Sequence, residues 1–239
     1  MITPDTSIGE IVRMNFRTAQ WFSDHHIDFC CGGNISISQA CEKSDLSANV
    51  LIEEISAILQ QDDPDSKYID LMELDELCTY IIRRHHSYVN EKMPFILRNL
   101  DKLCEVHGEN HLELFEINTL FNQVATNLTA HIKKEELILF PFISRMAKNH
   151  QVQYNKAITK GKLATTISEM EQEHTSEGGR FDSISRLSGH YKTPPDGCST
   201  FKVTYQALQE FEQDLHRHIH LENNILFKKA VELENSYIS

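Results

Sequence analysis

Two ten-residue stretches decide the fold: HIKKEELILF at 131–140 and HIHLENNILF at 218–227. They share six of ten residues, including the histidine, the glutamate four positions later and the closing Ile-Leu-Phe. A spacing of four places the histidine and the glutamate on one face of a helix. The recurrence predicts an internal repeat whose halves are related by a pseudo-twofold axis.

Both stretches interrupt an apolar helical stripe. In a segment predicted at 111–149, alternating steps of four and three residues select Ile117, Phe121, Val124, Leu128, His131, Glu135, Ile138 and Phe142. The same steps in a segment predicted at 199–235 select Leu208, Phe211, Leu215, His218, Glu222 and Ile225. In each segment a histidine and a glutamate occupy positions where apolar side chains are expected.

Two further segments carry one histidine each on such a stripe. The segment predicted at 70–107 gives Ile82, His86, Val89, Met93, Ile96, Leu100 and Leu103, and the one at 158–191 gives Leu163, Ile167, Met170, His174, Glu177, Phe181 and Ile184. Successive histidines are 45, 43 and 44 residues apart, so helices that alternate up and down bring them to one level. We therefore predict an all-α protein with a C-terminal up-down four-helix bundle.

Buried ionisable groups at one level need a partner, because an unpaired carboxylate in an apolar core costs several kcal/mol. A single mid-helix histidine is more often a hydrogen-bonded core residue, but four at matched levels favour metal ligands. Imidazole and carboxylate without thiolate suit iron or manganese. Two carboxylates for two divalent ions predict that both glutamates bridge. The predicted ligands are His86, His131, Glu135, His174, His218 and Glu222.

The remaining histidines near these stripes are predicted to lie outside the site. His85, His216 and His220 fall on other faces and are expected to be solvated. His107 lies 21 residues beyond His86, about 30 Å along a straight helix. Glu177 is closer, and we expect it to be an outer partner or an occasional ligand.

The segment before the bundle reads as short helices and a loop. The polar stretch QDDPDSKY at 61–68 is predicted to link a small helical domain at 1–62 to the bundle at 68–239. Breaks between the long helices are predicted at 108–110, 149–155 and 193–199. Pro94 and Pro141 are expected to kink or interrupt their helices.

Composition excludes several classes of function. A net charge of -12 without a basic run argues against nucleic acid and anionic lipid as partners. No stretch approaches the roughly 20 apolar residues of a membrane span, and the first residues show no targeting pattern, which predicts a cytoplasmic protein. Six cysteines, two of them adjacent, are a poor basis for a disulfide framework, so reduced thiols are expected.

The adjacent thiols Cys30 and Cys31 are followed by Gly32 and Gly33, which suit a tight, exposed loop. Thiolates there would bind iron or nitrosyl groups, or exchange with a disulfide. The residues alone equally allow two partly buried thiols beside a turn. The other cysteines, Cys41, Cys78, Cys104 and Cys198, read as ordinary packing or surface thiols.

Several motifs together resemble the Repair of Iron Centers family over nearly the whole chain. These are DFCCGG at 28–33, RHH ending at His86 with Pro94 following, HIKKEELILFP from His131, EQEH ending at His174, and HIHLENNILF from His218. The family joins a hemerythrin-like bundle to a small N-terminal domain. The resemblance implies four terminal histidine ligands and bridging Glu135 and Glu222. One departure is Lys228, where family members have proline, and we expect it to alter only the exit of the last helix.

The resemblance also implies a function. The family repairs iron-sulfur clusters damaged by nitric oxide or oxidants, with two non-haem iron ions per chain, oxo- and carboxylate-bridged. Cys30 and Cys31 are then expected to act in thiol transfer or iron relay to damaged iron-sulfur proteins, and the chain is expected to form a homodimer. Iron donation and reduction of nitric oxide to nitrous oxide both remain open, so whether the protein is an enzyme is undecided. The alternatives are a hemerythrin-like carrier or sensor of oxygen or nitric oxide, and a nitric oxide reductase.

Overall fold

The computed structural model describes residues 2–44, 46–148 and 162–238. Within these ranges the chain is helical and no strand occurs, which confirms the all-α prediction. The break predicted at 149–155 lies outside the described residues. The helices are α1 (Ile8–Met14), α2 (Thr18–Asp24), α3 (Ile37–Ser44), α4 (Ala48–Leu59), α5 (Pro64–Leu71), α6 (Leu74–Ile81), α7 (Ser87–His107), α8 (Glu113–Lys134), α9 (Phe140–Lys148), α10 (Lys162–Leu187), α11 (Ser199–Leu221) and α12 (Phe227–Ile238).

Three π-helical turns each join two of these helices end to end. The first π turn is Ile82–His86, between α6 and α7; the second is Glu135–Leu139, between α8 and α9; the third is Glu222–Leu226, between α11 and α12. In each turn the next backbone N–H donates to the carbonyl five residues back, as from Phe140 to Glu135. A π turn therefore adds one residue to the helical repeat, and such turns concentrate at functional sites.

The described residues group into two compact units. One comprises the described residues within Cys78–Arg145 and Ala164–His218, and the other the described residues within 1–77, 146–163 and 219–239. The boundaries predicted for the two domains, 1–62 and 68–239, stay predictions.

The first of these units is built from α7, α8, α10 and α11. Phe121 of α8 meets Phe181 of α10 and Phe211 of α11 with ring centroids 6.4 and 5.5 Å apart, and Tyr88 of α7 lies 6.2 Å from Phe211. These aromatic rings tie four helices into one bundle. Burial of the apolar area of these rings makes the main favourable contribution to the free energy of folding of the bundle.

The other unit holds the N-terminal helices. Ser7 caps α1 by accepting from the Glu10 N–H, and the apolar faces of α1 to α4 are buried. The stretch 61–68, predicted as a linker, instead begins a helix: Asp63 caps α5 and Pro64 occupies its first turn. Both are helix-start signals, which explains why a stretch with the polar composition of a linker forms the first turns of a helix.

The second π turn corrects the predicted stripe of α8 and α9. Ile138, expected in the core, is 65% exposed and Phe142 is half-buried, whereas Leu139, Phe140 and Ile143 are buried. The extra residue rotates the following helix by about 100°. Pro94 and Pro141 both lie inside helices that continue past them, so neither interrupts its helix.

The helices of the described residues include none with the length and apolar character needed to cross a membrane.

Candidate metal centre

Each predicted ligand comes from a defined place on a long helix, and all six are buried. His131, His174 and His218 lie in α8, α10 and α11. His86 ends the first π turn, and Glu135 and Glu222 begin the second and third. Three of the six thus sit at the ends of π turns, where the local backbone departs from the regular α-helix.

Glu135 stands between two pairs of imidazoles. Its Oε2 is 3.4 Å from Nε2 of His86, and its Oε1 is 3.4 Å from Nε2 of His131. His86 Nε2 lies 3.2 Å from Nε2 of His218, and His131 Nε2 lies 2.9 Å from Nε2 of His174. One carboxylate oxygen of Glu135 therefore faces each pair of imidazoles.

Glu222 follows His218 by one turn of a continuous helix. The side chain of Glu222 is buried. Helical geometry directs the carboxylate of Glu222 to the same face of the helix as the His218 ring.

Two outer carboxylates fix the orientation of the histidines. Glu136 Oε1 accepts from Nδ1 of His86 at 2.8 Å, and Glu173 Oε2 accepts from Nδ1 of His131 at 2.7 Å. With its proton on Nδ1, a neutral imidazole presents a lone pair at Nε2. Burial would raise the pKa of Glu173, but hydrogen bonds from Lys134 and His131 outweigh it, so that pKa lies below its ordinary value and the acceptor stays charged.

This arrangement fits a pair of divalent ions. The Nε2 lone pairs of His86 and His131 are directed at other imidazole nitrogens and at a carboxylate oxygen at short range. Several nitrogen and oxygen atoms with lone pairs at such short separations suit the coordination of a cation. Carboxylate partners behind ligating histidines are the usual support of a metal site.

Two histidines predicted to be solvated are buried. His85 stacks on His218 with ring centroids 5.5 Å apart, and its Nδ1 lies 3.1 Å from Asp214; burial lowers its pKa. His220 packs between Phe16 and Phe29 at 5.9 and 6.1 Å. The prediction was wrong for His85 because the first π turn brings adjacent residues into the core together. For His220, the apolar N-terminal segment covers a face that the bundle pattern alone leaves in water.

Glu177 is an outer residue. Its carboxylate accepts from Asn127 at 2.9 Å and from Arg180 at 2.6 Å, and burial raises its pKa. The described residues contain two clusters of buried histidine and glutamate side chains, and Glu177 belongs to neither cluster.

His107 and Cys198 form a separate pair that the sequence did not reveal. The thiol, read as an ordinary surface cysteine, lies at the start of α11 with its Sγ 3.2 Å from Nε2 of His107. Backbone N–H groups of Phe201 and Thr200 and the His107 ring lower its pKa to about 7. A thiol at a helix start is a recognisable signal, but its imidazole partner is 91 residues away in the chain.

The Cys-Cys-Gly-Gly loop is neither fully exposed nor fully buried. Cys30 is buried and Cys31 half-buried, both are free thiols, and their Sγ atoms lie 3.6 Å apart. Asp28 joins them as a third residue with donor atoms in the same cluster.

Buried histidines and carboxylates in a helical bundle define a hemerythrin-like cation-binding protein. Residues 78–230 match the family model described as the hemerythrin HHE cation binding domain, and residues 4–59 match the ScdA N-terminal family, described as a domain of unknown function (DUF542). The bundle match alone covers more than half of the chain.

Similar proteins match almost end to end. The iron-sulfur cluster repair protein ScdA of Staphylococcus haemolyticus is 31% identical over 231 residues, 96% of this chain and 99% of that protein. The iron-sulfur cluster repair protein YtfE of Yersinia pestis is 33% identical over 226 residues, 94% and 96% of the two chains. The chain belongs to the Repair of Iron Centers family.

Proposed function

We propose that this protein repairs iron-sulfur clusters damaged by nitrosative or oxidative stress, and that it does so with a di-iron centre in its bundle. The observation that carries the proposal is the buried carboxylate of Glu135 between two imidazole pairs. The names of its relatives, iron-sulfur cluster repair proteins, support the same function.

The proposed ligands are terminal His86, His131, His174 and His218 and bridging Glu135 and Glu222. When bound, two iron ions would supply both releasable iron and a redox centre. The protein's own residues set the conditions: the two carboxylates balance part of the charge, Glu136 and Glu173 hold His86 and His131 through Nδ1 so that Nε2 faces the cluster, and the apolar helices limit the entry of water.

The remaining parts of the proposal concern partners. Cys30 and Cys31 would transfer thiol groups or relay iron to damaged iron-sulfur proteins, and nitric oxide or oxygen would be small ligands of the centre. We also propose a homodimer that works in the cytoplasm.

Metal content tests the site. We expect about two iron ions per chain in the wild-type protein, and clearly less in the Glu135→Gln and Glu222→Gln variants. Glu116→Gln, an exposed carboxylate on α8, is the matched control and should keep its iron. Wild-type protein that binds no iron, or that keeps full iron content in both glutamine variants, would refute the assignment.

Transfer to a client tests the function. Iron-loaded protein is incubated with an apo or nitrosylated iron-sulfur enzyme while client activity and iron location are followed together. Recovery accompanied by iron transfer supports donation, and recovery without transfer supports nitric oxide or redox chemistry. No recovery, with reversible binding of oxygen or nitric oxide, would instead favour a hemerythrin-like carrier. Multiple-turnover formation of nitrous oxide would favour a reductase.

A further inference from the structure

The Cys30–Cys31 loop places two neighbouring thiols in different environments. Their Sγ atoms are 3.6 Å apart, Cys30 is buried, and Cys31 is half-buried. An incoming reagent therefore reaches Cys31 first. The short separation leaves Cys30 positioned to attack whatever becomes attached to Cys31.

Asp28 organises the loop around these thiols. Its Oδ1 accepts from the N–H groups of Cys30 at 3.0 Å and Cys31 at 2.9 Å, and its Oδ2 accepts from Gly32 at 2.8 Å. The Sγ of Cys30 also donates to Oδ1 at 3.3 Å. The carboxylate is thus placed to receive the Cys30 proton. The hydrogen bond to Cys31 and burial raise the pKa of Cys30, which keeps Cys30 protonated until that step.

The peptide between the two cysteines is held on both edges. Its N–H donates to Asp28, and its carbonyl, that of Cys30, accepts from the side-chain amides of Asn223 at 3.2 Å and Asn224 at 3.1 Å. A disulfide between adjacent residues closes an eight-membered ring that forces this peptide to turn. Ring closure must therefore break hydrogen bonds, which makes such a disulfide strained and easily reduced.

We propose that Cys30 and Cys31 form a thiol–disulfide exchange site for the disulfide of a small thiol. The Cys31 thiolate attacks the substrate disulfide, forms a mixed disulfide and releases one thiolate. Cys30 then attacks Sγ of Cys31 while its proton passes to Asp28, the second thiolate leaves, and the released thiolates take up protons. The substrate is reduced to two thiols as the protein dithiol is oxidised to a Cys30–Cys31 disulfide. This deepens the thiol role in the proposed function, but no iron takes part in it.

The test uses full-length protein and oxidised glutathione, followed by peptide mass spectrometry. In the wild type we expect a peptide lighter by two hydrogens, without glutathione, that does not fragment between residues 30 and 31. Cys30→Ser should trap glutathione on Cys31, and Cys31→Ser should leave Cys30 unmodified over the same time. Cys41→Ser is the matched control and should leave ring closure unchanged. Exposed Cys198 reports in every sample that the reagent reacted.

Two further variants test the neighbours. Asp28→Asn should slow the second step by about 10²-fold, the lower end for loss of a general base, so that the mixed disulfide accumulates. Asn223→Ala should speed closure and shift the equilibrium toward the disulfide, since one hydrogen bond to the turning peptide is gone. Circular dichroism checks that each variant is folded.

Three results would overturn the proposal: a stable glutathione adduct on Cys31 in the wild type, a disulfide to Cys41 instead, or no reaction at either cysteine while Cys198 is modified. Because the readout is independent of metal, each can occur whether or not the protein binds iron.

Discussion

The carboxylates behind the histidines decide which ring nitrogen is available to a metal. His131 is held by Glu173, which is itself held by Lys134, so the orientation of a buried ring depends on two residues at the surface of the helices. Orienting the ring in this way buries little charge, because His131 is the only one of these three residues that lies in the core.

Removing one of these carboxylates tests that role. We expect Glu173→Gln to weaken metal binding by about 10- to 100-fold, because the amide holds the Nδ1 proton of His131 less strongly. Competitive titration with a coloured chelator measures the change. Glu169→Gln, an exposed carboxylate on the same helix, is the control and should bind as the wild type does. Equal binding by both variants would show that Glu173 does not support the ligand.

Glu212 provides a pH-dependent test away from the metal ligands. Burial, with repulsion from Asp182, raises its pKa to about 7 despite the nearby hydroxyl of Tyr191. Below the ordinary pKa of about 4.5, folded and unfolded chains are both protonated and the residue has no effect. Between that value and about 7 only the unfolded chain ionises, so Glu212 lowers stability as pH rises.

We therefore expect Glu212→Gln to raise the free energy of unfolding at pH 8 by about 1 to 3 kcal/mol and to leave it unchanged at pH 4. Urea unfolding at both pH values measures the difference, and Glu210→Gln, an exposed neighbour on the same helix, should show none. A gain of the same size at pH 4 would mean that ionisation is not the cause.

At the scale of the helices, the pattern of buried residues is predicted correctly in a regular helix and incorrectly after the second π turn. In α10 every residue of the predicted stripe is buried, from Leu163 to Ile184, because that helix is regular throughout. In α8 the prediction holds as far as Glu135 and then fails. A pattern of fours and threes assumes a constant helical repeat, and the residues around 135 carry no signal that one residue is extra.

The same reasoning explains the candidate site. All six predicted ligands are buried: His131, His174 and His218 lie in regular helix, and His86, Glu135 and Glu222 are end residues of π turns. The outer partners were not predicted. Glu136, Glu173 and Asp214 lie off the stripes, and pairing them with particular histidines requires knowing how neighbouring helices are rotated.

A deletion tests the second π turn. Removing exposed Leu137 should convert the turn to regular α-helix and keep the buried face of α9 in phase, because the lost residue is the extra one. We expect a folded protein with cooperative melting and metal affinity lower by about tenfold or more, as for other disturbances around ligands.

Deleting exposed Asn122 in regular α8 is the control. It should rotate the rest of the helix by about 100° and destroy the fold. If the protein without Leu137 bound metal with the affinity of the wild type, the second π turn would not be needed for metal binding.

At the scale of the molecule, metal binding and folding are linked. The predicted ligands come from four long helices, so the unfolded chain does not present them together, and metal stabilises the folded state by mass action. Sequence patterns predicted this architecture because four matched stripes allow few other arrangements. They did not fix the domain boundaries, since the stretch at 61–68 has the composition of a linker and the start signals of a helix.

Ferrous iron added without oxygen at about 100 times its dissociation constant should stabilise the protein by about 2.7 kcal/mol, or roughly 5 to 10 °C in melting temperature. Differential scanning calorimetry measures the shift, a chelator should reverse it, and Mg²⁺, which prefers oxygen ligands, should not produce it. A melting temperature that does not respond to iron would contradict the linkage.

The two matching π turns also carry information about ancestry. Glu135 and Glu222 occupy the same place in the two repeated stretches, and each begins a π turn of five residues, although Pro141 follows one turn and Lys228 the other. Proline is thus not what creates the turn. The simplest history is that a single inserted residue entered an ancestral helix pair, which was then duplicated. The first π turn ends at its histidine, His86, whereas the other two begin four residues after theirs.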